Sequence, residues 1–261
     1  MVDSSFLQEI AQAAAEQTLP RFRQKIDVDN KYTVGFDPVT EADREAELAI
    51  RRVINQHYPE HGILGEEFGG EKLDSSHVWV IDPIDGTRAF ISGLPVWGTL
   101  VGLMVDGDAR IGMMSQPFTK ELFYTTGEGA FWSGPEYAGN GGHVPLKTRQ
   151  QASLAEATIF TTSPHMFKGK EREAFDRLEG QVRLSRYGVD CYAYAMLASG
   201  FADLVVEIGL QPYDVMGLIP IIEQAGGVIT QVDGGPAEKG GYIVAAASAK
   251  LHEEALNILN A

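Results

Sequence analysis

Apolar positions along the chain follow more than one rhythm. Near the start, Phe6, Leu7, Ile10 and Ala14 recur at helical spacing behind the candidate caps Ser4 and Ser5, and 41–57 repeats that spacing with Ala46, Ile50, Val53 and Ile54 on one face. Between these two helices, 25–38 is polar and contains Gly, which predicts a long loop or a mobile hairpin. The rhythm then changes. Val78-Trp79-Val80-Ile81 is a continuous apolar run that reads as a buried strand, and further strand-like pieces follow at 98–105, 109–115, 121–125 and 129–132. Their links, Asp106-Gly107-Asp108, Pro117 and Gly127, are short enough for an antiparallel meander. A Gly-rich stretch at 135–142 reads as a surface loop. Beyond it strands and helices interleave: strand 158–162, helix 170–180, strand 182–187, helix 190–199, strand 204–208, helix 215–225, strands 228–231 and 242–246, and a last helix to 259. Interleaving predicts stacked α and β layers, with 1–140 as an N-terminal α+β lobe and 141–261 as a C-terminal α/β lobe, packed as one compact unit.

Composition narrows the function classes. A chain of 261 residues with 44% hydrophobic and 22% charged residues has the make-up of a large globular core. Its formal charge of −15 leaves no basic stripe for a nucleic-acid backbone, so a small-molecule partner is expected and nucleic acid is not. The longest apolar stretch, 94–105, is too short to span a bilayer, so no membrane partner is expected either. The N-terminal residues lack the layout of a secretory signal, and the single cysteine, Cys191, has no partner within the chain. Both features fit a cytoplasmic location.

The apolar run ends directly in Asp82-Pro83-Ile84-Asp85-Gly86-Thr87. Gly86-Thr87 can open a helix whose free N–H groups attract anions, which places two carboxylates beside a phosphate cradle. Carboxylates repel phosphate unless cations lie between them, and Mg2+ favours such oxygen ligands. The bland alternative is a turn with an ordinary cap, although one cap needs one side chain and two are present. Haloacid-dehalogenase-type phosphatases carry Asp-x-Asp-Gly-Thr; here two residues separate the carboxylates, which disfavours an aspartyl-phosphate route. Other acidic positions are ambiguous. Gly65-Glu66-Glu67 reads as a strand end or a solvated loop, Asp214 as a ligand or a helix cap, and Thr40-Glu41-Ala42-Asp43 as a capping box.

Together these motifs resemble the inositol monophosphatase family of Mg2+-dependent, Li+-sensitive phosphomonoesterases, and the similarity runs over most of the chain. The resemblance implies an αβαβα sandwich, a homodimer, and two or three Mg2+ per active site. It places Glu66, Asp82 and the carbonyl of Ile84 on one ion, and Asp82, Asp85 and Asp214 on a second. It also implies that Thr87 and Asp43 orient and help deprotonate the attacking water, while N–H groups near Gly86 and Thr87 hold phosphate oxygens. Tyr213 stands where the family often has Trp.

Within the family the wording at 88–98, 187–194 and 209–214 is closer to the histidinol-phosphatase branch. Aligned by their neighbours, Asp190 and Glu207 then face the leaving group, where they would pair with the ammonium and imidazole of L-histidinol phosphate. Each also has a plain reading, Asp190 as a helix cap and Glu207 as a solvated strand end. Trp97, Tyr192 and Tyr194 read as an imidazole pocket or, more simply, as core. The expectation is therefore a histidinol-phosphatase of histidine biosynthesis acting by metal-activated water. An inositol-phosphate or broad sugar-phosphate monophosphatase is the rival, and a non-catalytic metal- or phosphate-binding regulator the alternative of another class.

Overall fold

The computed structural model describes residues 2–25, 27–30, 38–135, 143–149 and 153–261. Most of the expected loops at 25–38 and 135–142 therefore lies outside the described residues. The chain opens with α1 (Ser4–Thr18), then β1 (Asp29–Asn30), β2 (Pro38–Val39) and α2 (Glu41–His57). Next come β3 (Gly62–Gly65), β4 (Gly69–Glu71), β5 (His77–Asp85), α3 (Thr87–Ile91), β6 (Gly98–Val105), β7 (Asp108–Gln116), β8 (Glu121–Thr126), β9 (Gly129–Ser133) and β10 (Val144–Pro145). The remainder runs β11 (Thr158–Thr161), α4 (Gly169–Glu179), β12 (Leu184–Tyr187), α5 (Tyr192–Ala198), β13 (Leu204–Leu210), α6 (Pro212–Val215), α7 (Ile219–Gln224), β14 (Val228–Gln231), β15 (Gly241–Ala246) and α8 (Ala249–Leu259).

Among the described residues the strands form two main sheets. The larger has eight strands in the order β10-β9-β8-β7-β6-β5-β3-β4, and its run from β5 to β10 is the expected antiparallel meander. Only β3 and β5 run parallel within it. The second has five strands, β12-β11-β13-β15-β14, with β11 parallel to both neighbours.

Strand alternation decides the layers. On β6 and β7, Val101 and Met113 face Ile10, Ile50 and Ile54 of the α1–α2 pair, while their neighbours Leu100 and Met114 face α5 and α7. The middle helices meet the second sheet through Val205, Ile243 and Ala245, and its far side, Leu204, Val206 and Val244, packs on Phe175 of α4 and Leu251 of α8. The result is α, β, α, β, α in succession. Both sheets are covered on both faces, which is why so many strands read as continuous apolar runs.

Two expected helix boundaries move. The cap of α1 is Asp3, whose carboxylate accepts the Phe6 N–H, rather than Ser4 or Ser5. The expected helix 215–225 is shorter: α6 already ends at Val215, a turn follows at 216–218, and α7 runs only from Ile219 to Gln224 with Pro220, which has no N–H to continue a ladder, in its first turn. The joint between them lies almost on the sheet. A Cβ on Gly102 would stand 2.6 Å from the Met216 carbonyl carbon, and one on Gly112 would stand 2.0 Å from the Gly217 oxygen. Bare backbone on both sides draws α6, and Asp214 with it, down against β5 and β6. No described helix is long and apolar enough to cross a membrane.

Since that Gly112 contact is to backbone, Gly112→Ala should force strand and helix joint apart and destabilise by about 1–3 kcal/mol or more. Urea unfolding measures it, and an unchanged midpoint would show that the close approach is not required.

Candidate active site

β5 supplies the centre of the site. In a regular strand, residues three apart point to opposite faces, so Asp82 and Asp85 would diverge. Instead Asp82 pairs with Leu100 and Asp85 with Gly98, so β5 carries one extra residue between them. This bulge returns both carboxylates to one side. Pro83, which has no N–H for the ladder, sits within it, and its carbonyl accepts the Thr99 hydroxyl at 2.8 Å. Gly86 then turns the chain with φ 81°, a left-handed conformation that favours glycine, and leads into α3. That helix has only five residues, so any anion there meets loose N–H groups rather than the dipole of a long helix.

Asp214 arrives from α6. Carboxylate oxygens of Asp82, Asp85 and Asp214 lie within 4.8 Å of one another. Glu66, just past the end of β3, stands close enough to Asp82 to raise that carboxyl. All four, with the expected Ile84, Gly86, Thr87, Asp190 and Glu207, line one cavity. Asp43 lies behind this wall. Its Oδ2 accepts the Thr40 N–H at 2.8 Å and the Thr40 hydroxyl at 2.6 Å, while Oδ1 lies 3.4 Å from the Thr87 hydroxyl. That hydroxyl also reaches the Ile84 carbonyl at 3.1 Å. The cap of α2 and the contact with Thr87 are therefore made by different oxygens of one carboxylate. Asp214 repeats the device, its Oδ2 accepting the Gln211 N–H at 2.6 Å.

The plain readings of Asp190 and Glu207 do not hold. No side chain caps α5, and the Asp190 carboxylate instead lies 3.5 Å from the Thr162 hydroxyl. Glu207 is 2% exposed, so it is no solvated strand end; it accepts the Thr162 N–H at 2.6 Å. Of the three aromatic candidates only Tyr194 lines the cavity. Trp97 is buried against Phe22 and Phe90, and Tyr192 donates to Glu121 at 2.6 Å. Arg88 is exposed on the cavity rim, where its charge favours ionised Asp190.

Thr162 and Glu47 were missed in the sequence. Thr162 had no motif to flag it, since its importance comes from joining Asp190 and Glu207. Glu47 carried a signal: it lies four residues after Asp43 and thus on the same face of α2.

The family model of the inositol monophosphatase family matches residues 3–261. This chain belongs to the inositol monophosphatase family. It is 40% identical over 261 residues to the bifunctional phosphatase IMPL2, chloroplastic, of Arabidopsis thaliana, covering 96% of this chain and 72% of that protein. It is 34% identical over 258 residues to the histidinol-phosphatase of Mycobacterium tuberculosis, covering 97% and 95% respectively. A solved inositol monophosphatase from Zymomonas mobilis superposes with a TM-score of 0.85 at 36% identity, covering 98% of this chain and 97% of that one.

Enzymes of the inositol monophosphatase family are metal-dependent, and the donor set here suits a hard cation: clustered carboxylate oxygens with no thiol or imidazole among them. The electrostatics agree. Burial, then the charges of Glu66, Asp85 and Asp214, push Asp82 well above the usual carboxylate range. Burial, then Asp214 and Asp190, do the same to Asp85. Burial raises Asp43 to about 6 against the hydrogen bonds from Thr40, and raises Glu207 to about 8 against that from Thr162.

Carboxylates raised in this way stabilise the metal-free fold below their unfolded values of 3.8 and 4.5, and that contribution is lost as pH rises through the folded values, near 6 for Asp43 and near 8 for Glu207. A cation bound at the cluster offsets the repulsion among these buried carboxylates once they ionise, so a divalent cation such as Mg2+ should raise Tm more at about pH 8 than at about pH 5.5. Thermal melts with EDTA and with Mg2+ test this; an equal gain at both pH values would contradict it.

Proposed function

We propose that this chain is a Mg2+-dependent phosphomonoesterase that hydrolyses L-histidinol phosphate to L-histidinol and phosphate. The observation that carries the reading is a single cavity with two kinds of carboxylate on its wall. One group, Glu66, Asp82, Asp85 and Asp214, suits a cation; the other, Asp190 and Glu207 joined through Thr162, suits a positively charged leaving group. The likeness to a relative named as a histidinol-phosphatase supports the same substrate.

Glu66, Asp82, Asp85, Asp214 and the Ile84 carbonyl would hold the Mg2+, with two or three ions per site. Bound there, Mg2+ supplies the positive charge that draws in a phosphate dianion, polarises it and acidifies water. The chain's own part is placement and proton handling. Thr87 stands between Asp43 and the Ile84 carbonyl, so its hydroxyl can take a proton from the attacking water and pass its own to Asp43. The N–H groups of Gly86 and Thr87 hold phosphate oxygens.

The selectivity argument rests on Glu207. Burial leaves its carboxyl near 8, protonated at neutral pH, and an ammonium or imidazolium brought beside it restores the ionised form. Inositol offers only hydroxyls and gains nothing from that change. The second reading, an inositol-phosphate monophosphatase, draws on the Zymomonas mobilis neighbour, and kcat/KM on histidinol phosphate against inositol 1-phosphate separates the two.

Asp82→Asn should leave the fold in place and lower Mg2+-dependent turnover by orders of magnitude; near-normal phosphate release would contradict the metal assignment. At Asp190, φ is 43°, a region that Asn tolerates better than Ala. Asp190→Asn should therefore remove the charge without backbone strain. The expected loss in kcat/KM is about 1–3 kcal/mol on histidinol phosphate, from the lost charged hydrogen bond, with little change on inositol 1-phosphate. Equal losses on both esters would take Asp190 out of the selectivity argument.

A further inference from the structure

α2 carries a polar stripe, Asp43, Glu47, Arg51 and Asn55, at four-residue intervals beside its apolar face. The first touches Thr87, as described above. The second is more deeply buried: Glu47 is 0% exposed. Its Oε2 accepts the Glu67 N–H at 2.7 Å, and its Oε1 accepts the Phe68 N–H at 3.3 Å and Arg51 Nε at 2.8 Å. Arg51 continues outward to Glu71 at 3.3 Å and to the Gly69 carbonyl.

These bonds surround Glu66. Its own N–H donates to the Ile81 carbonyl at 3.1 Å, so three successive N–H groups, at 66, 67 and 68, are held by β5 and by Glu47. On the other side, a Cβ on Gly65 would stand 1.9 Å from Glu47 Oε1, so the carboxylate occupies the space a side chain there would need. An ion pair between buried Glu47 and partly exposed Arg51 adds little net stability, because desolvation consumes most of the Coulombic gain. The acceptor pair does fix the direction in which the chain leaves β3, and therefore where the Glu66 carboxylate meets Asp82.

We propose that Glu47 is a positioning residue that sets the Glu66 carboxylate for the metal site by gripping the two N–H groups that follow it. The inference rests on the metal reading above. Outer partners of this kind typically change metal affinity by about 10–100-fold when removed. Glu47→Gln keeps the shape but has one acceptor oxygen for three donors, so one arm of the grip is lost. Gly65→Ala attacks the same arrangement from the other side: its Cβ would displace the carboxylate while Glu47 itself stays chemically intact.

The experiment is Mg2+ titration of the purified full chain by calorimetry without substrate. Mg2+-dependent release of phosphate from histidinol phosphate is measured beside it, and circular dichroism checks the fold. Glu47→Gln and Gly65→Ala should each weaken Mg2+ binding about 10-fold or more. KM for the ester at saturating Mg2+ should stay unchanged. Glu71→Gln, which removes the outer partner of Arg51 but neither N–H bond, should bind Mg2+ as wild type does. If Glu47→Gln does not fold, Gly65→Ala and Glu71→Gln still decide. Wild-type affinity in the variants that disturb the grip, or an equal loss in Glu71→Gln, would overturn the role given to Glu47. Failure of wild type itself to bind Mg2+ would instead overturn the metal reading.

Discussion

Like charges packed within a few ångströms separate unless a scaffold holds them, and the rest of this structure is arranged around that constraint. Asp82, Asp85 and Asp214 come from two elements far apart in sequence, yet their oxygens lie within 4.8 Å. One extra residue in β5 turns Asp85 to the side of Asp82, and bare glycine backbone on two strands lets α6 approach closely enough to add Asp214. Backbone N–H groups then set each carboxylate: Ile84 donates to Asp82 at 3.0 Å, Cys191 to Asp85 at 3.0 Å, and Gln211 to Asp214 at 2.6 Å. Thr40 and Thr162 do the same for Asp43 and Glu207. Each carboxylate thus commits one oxygen to the backbone, and this fixes the direction of the other.

That rule dissolves an ambiguity in the sequence. A carboxylate just before or inside the first turn of a helix reads either as a cap or as a functional group, and Asp43 and Asp214 were open to both readings. In the structure the two are one arrangement. The capping bond uses Oδ2 of Asp43 and leaves Oδ1 toward Thr87, so the cap is what aims the residue. A cap worth about 1 kcal/mol in stability therefore has a second consequence, since it also restricts the rotamer of a group at the site.

Local pattern carried much of the architecture. The α1 and α2 periodicity, the β6–β9 meander and the later alternation of strands with helices all follow from spacing and turn residues, and the acidic joint at the end of β5 was visible as a motif. What local pattern missed is tertiary. The break between α6 and α7 depends partly on Pro220, which is in the sequence, and partly on the contact of Gly217 with β7, which is not. The bulge between Asp82 and Asp85 is a register shift against β6, and no single strand reveals its own register. Thr162 and Glu47 matter through groups far along the chain, among them Glu207, 45 residues from Thr162, and Glu67, 20 residues from Glu47. Asp190 and Glu207 were placed near the leaving group by alignment with a family; their burial and their shared partner Thr162 come from the second sheet meeting α5.

On the proposed reading, the same geometry separates the groups for chemistry from those for selectivity. The cation-suited carboxylates stand on the larger sheet and on α6, whereas Glu207 and Thr162 belong to β13 and to the end of β11 in the smaller sheet. Substitutions in the second set leave the β5 bulge and the close approaches at Gly102 and Gly112 untouched, so on that reading one scaffold can change its leaving group without rebuilding its charge cluster. The separation is not complete. A Cβ on Gly86 would lie 3.0 Å from Asp190 Cβ, so the turn proposed to present N–H groups to phosphate packs directly on the residue proposed to meet the amine. Glycine at that position serves both halves: it supplies the left-handed turn, and its missing side chain is the space Asp190 needs. Any substitution at Asp190 is therefore felt first at the Gly86 turn.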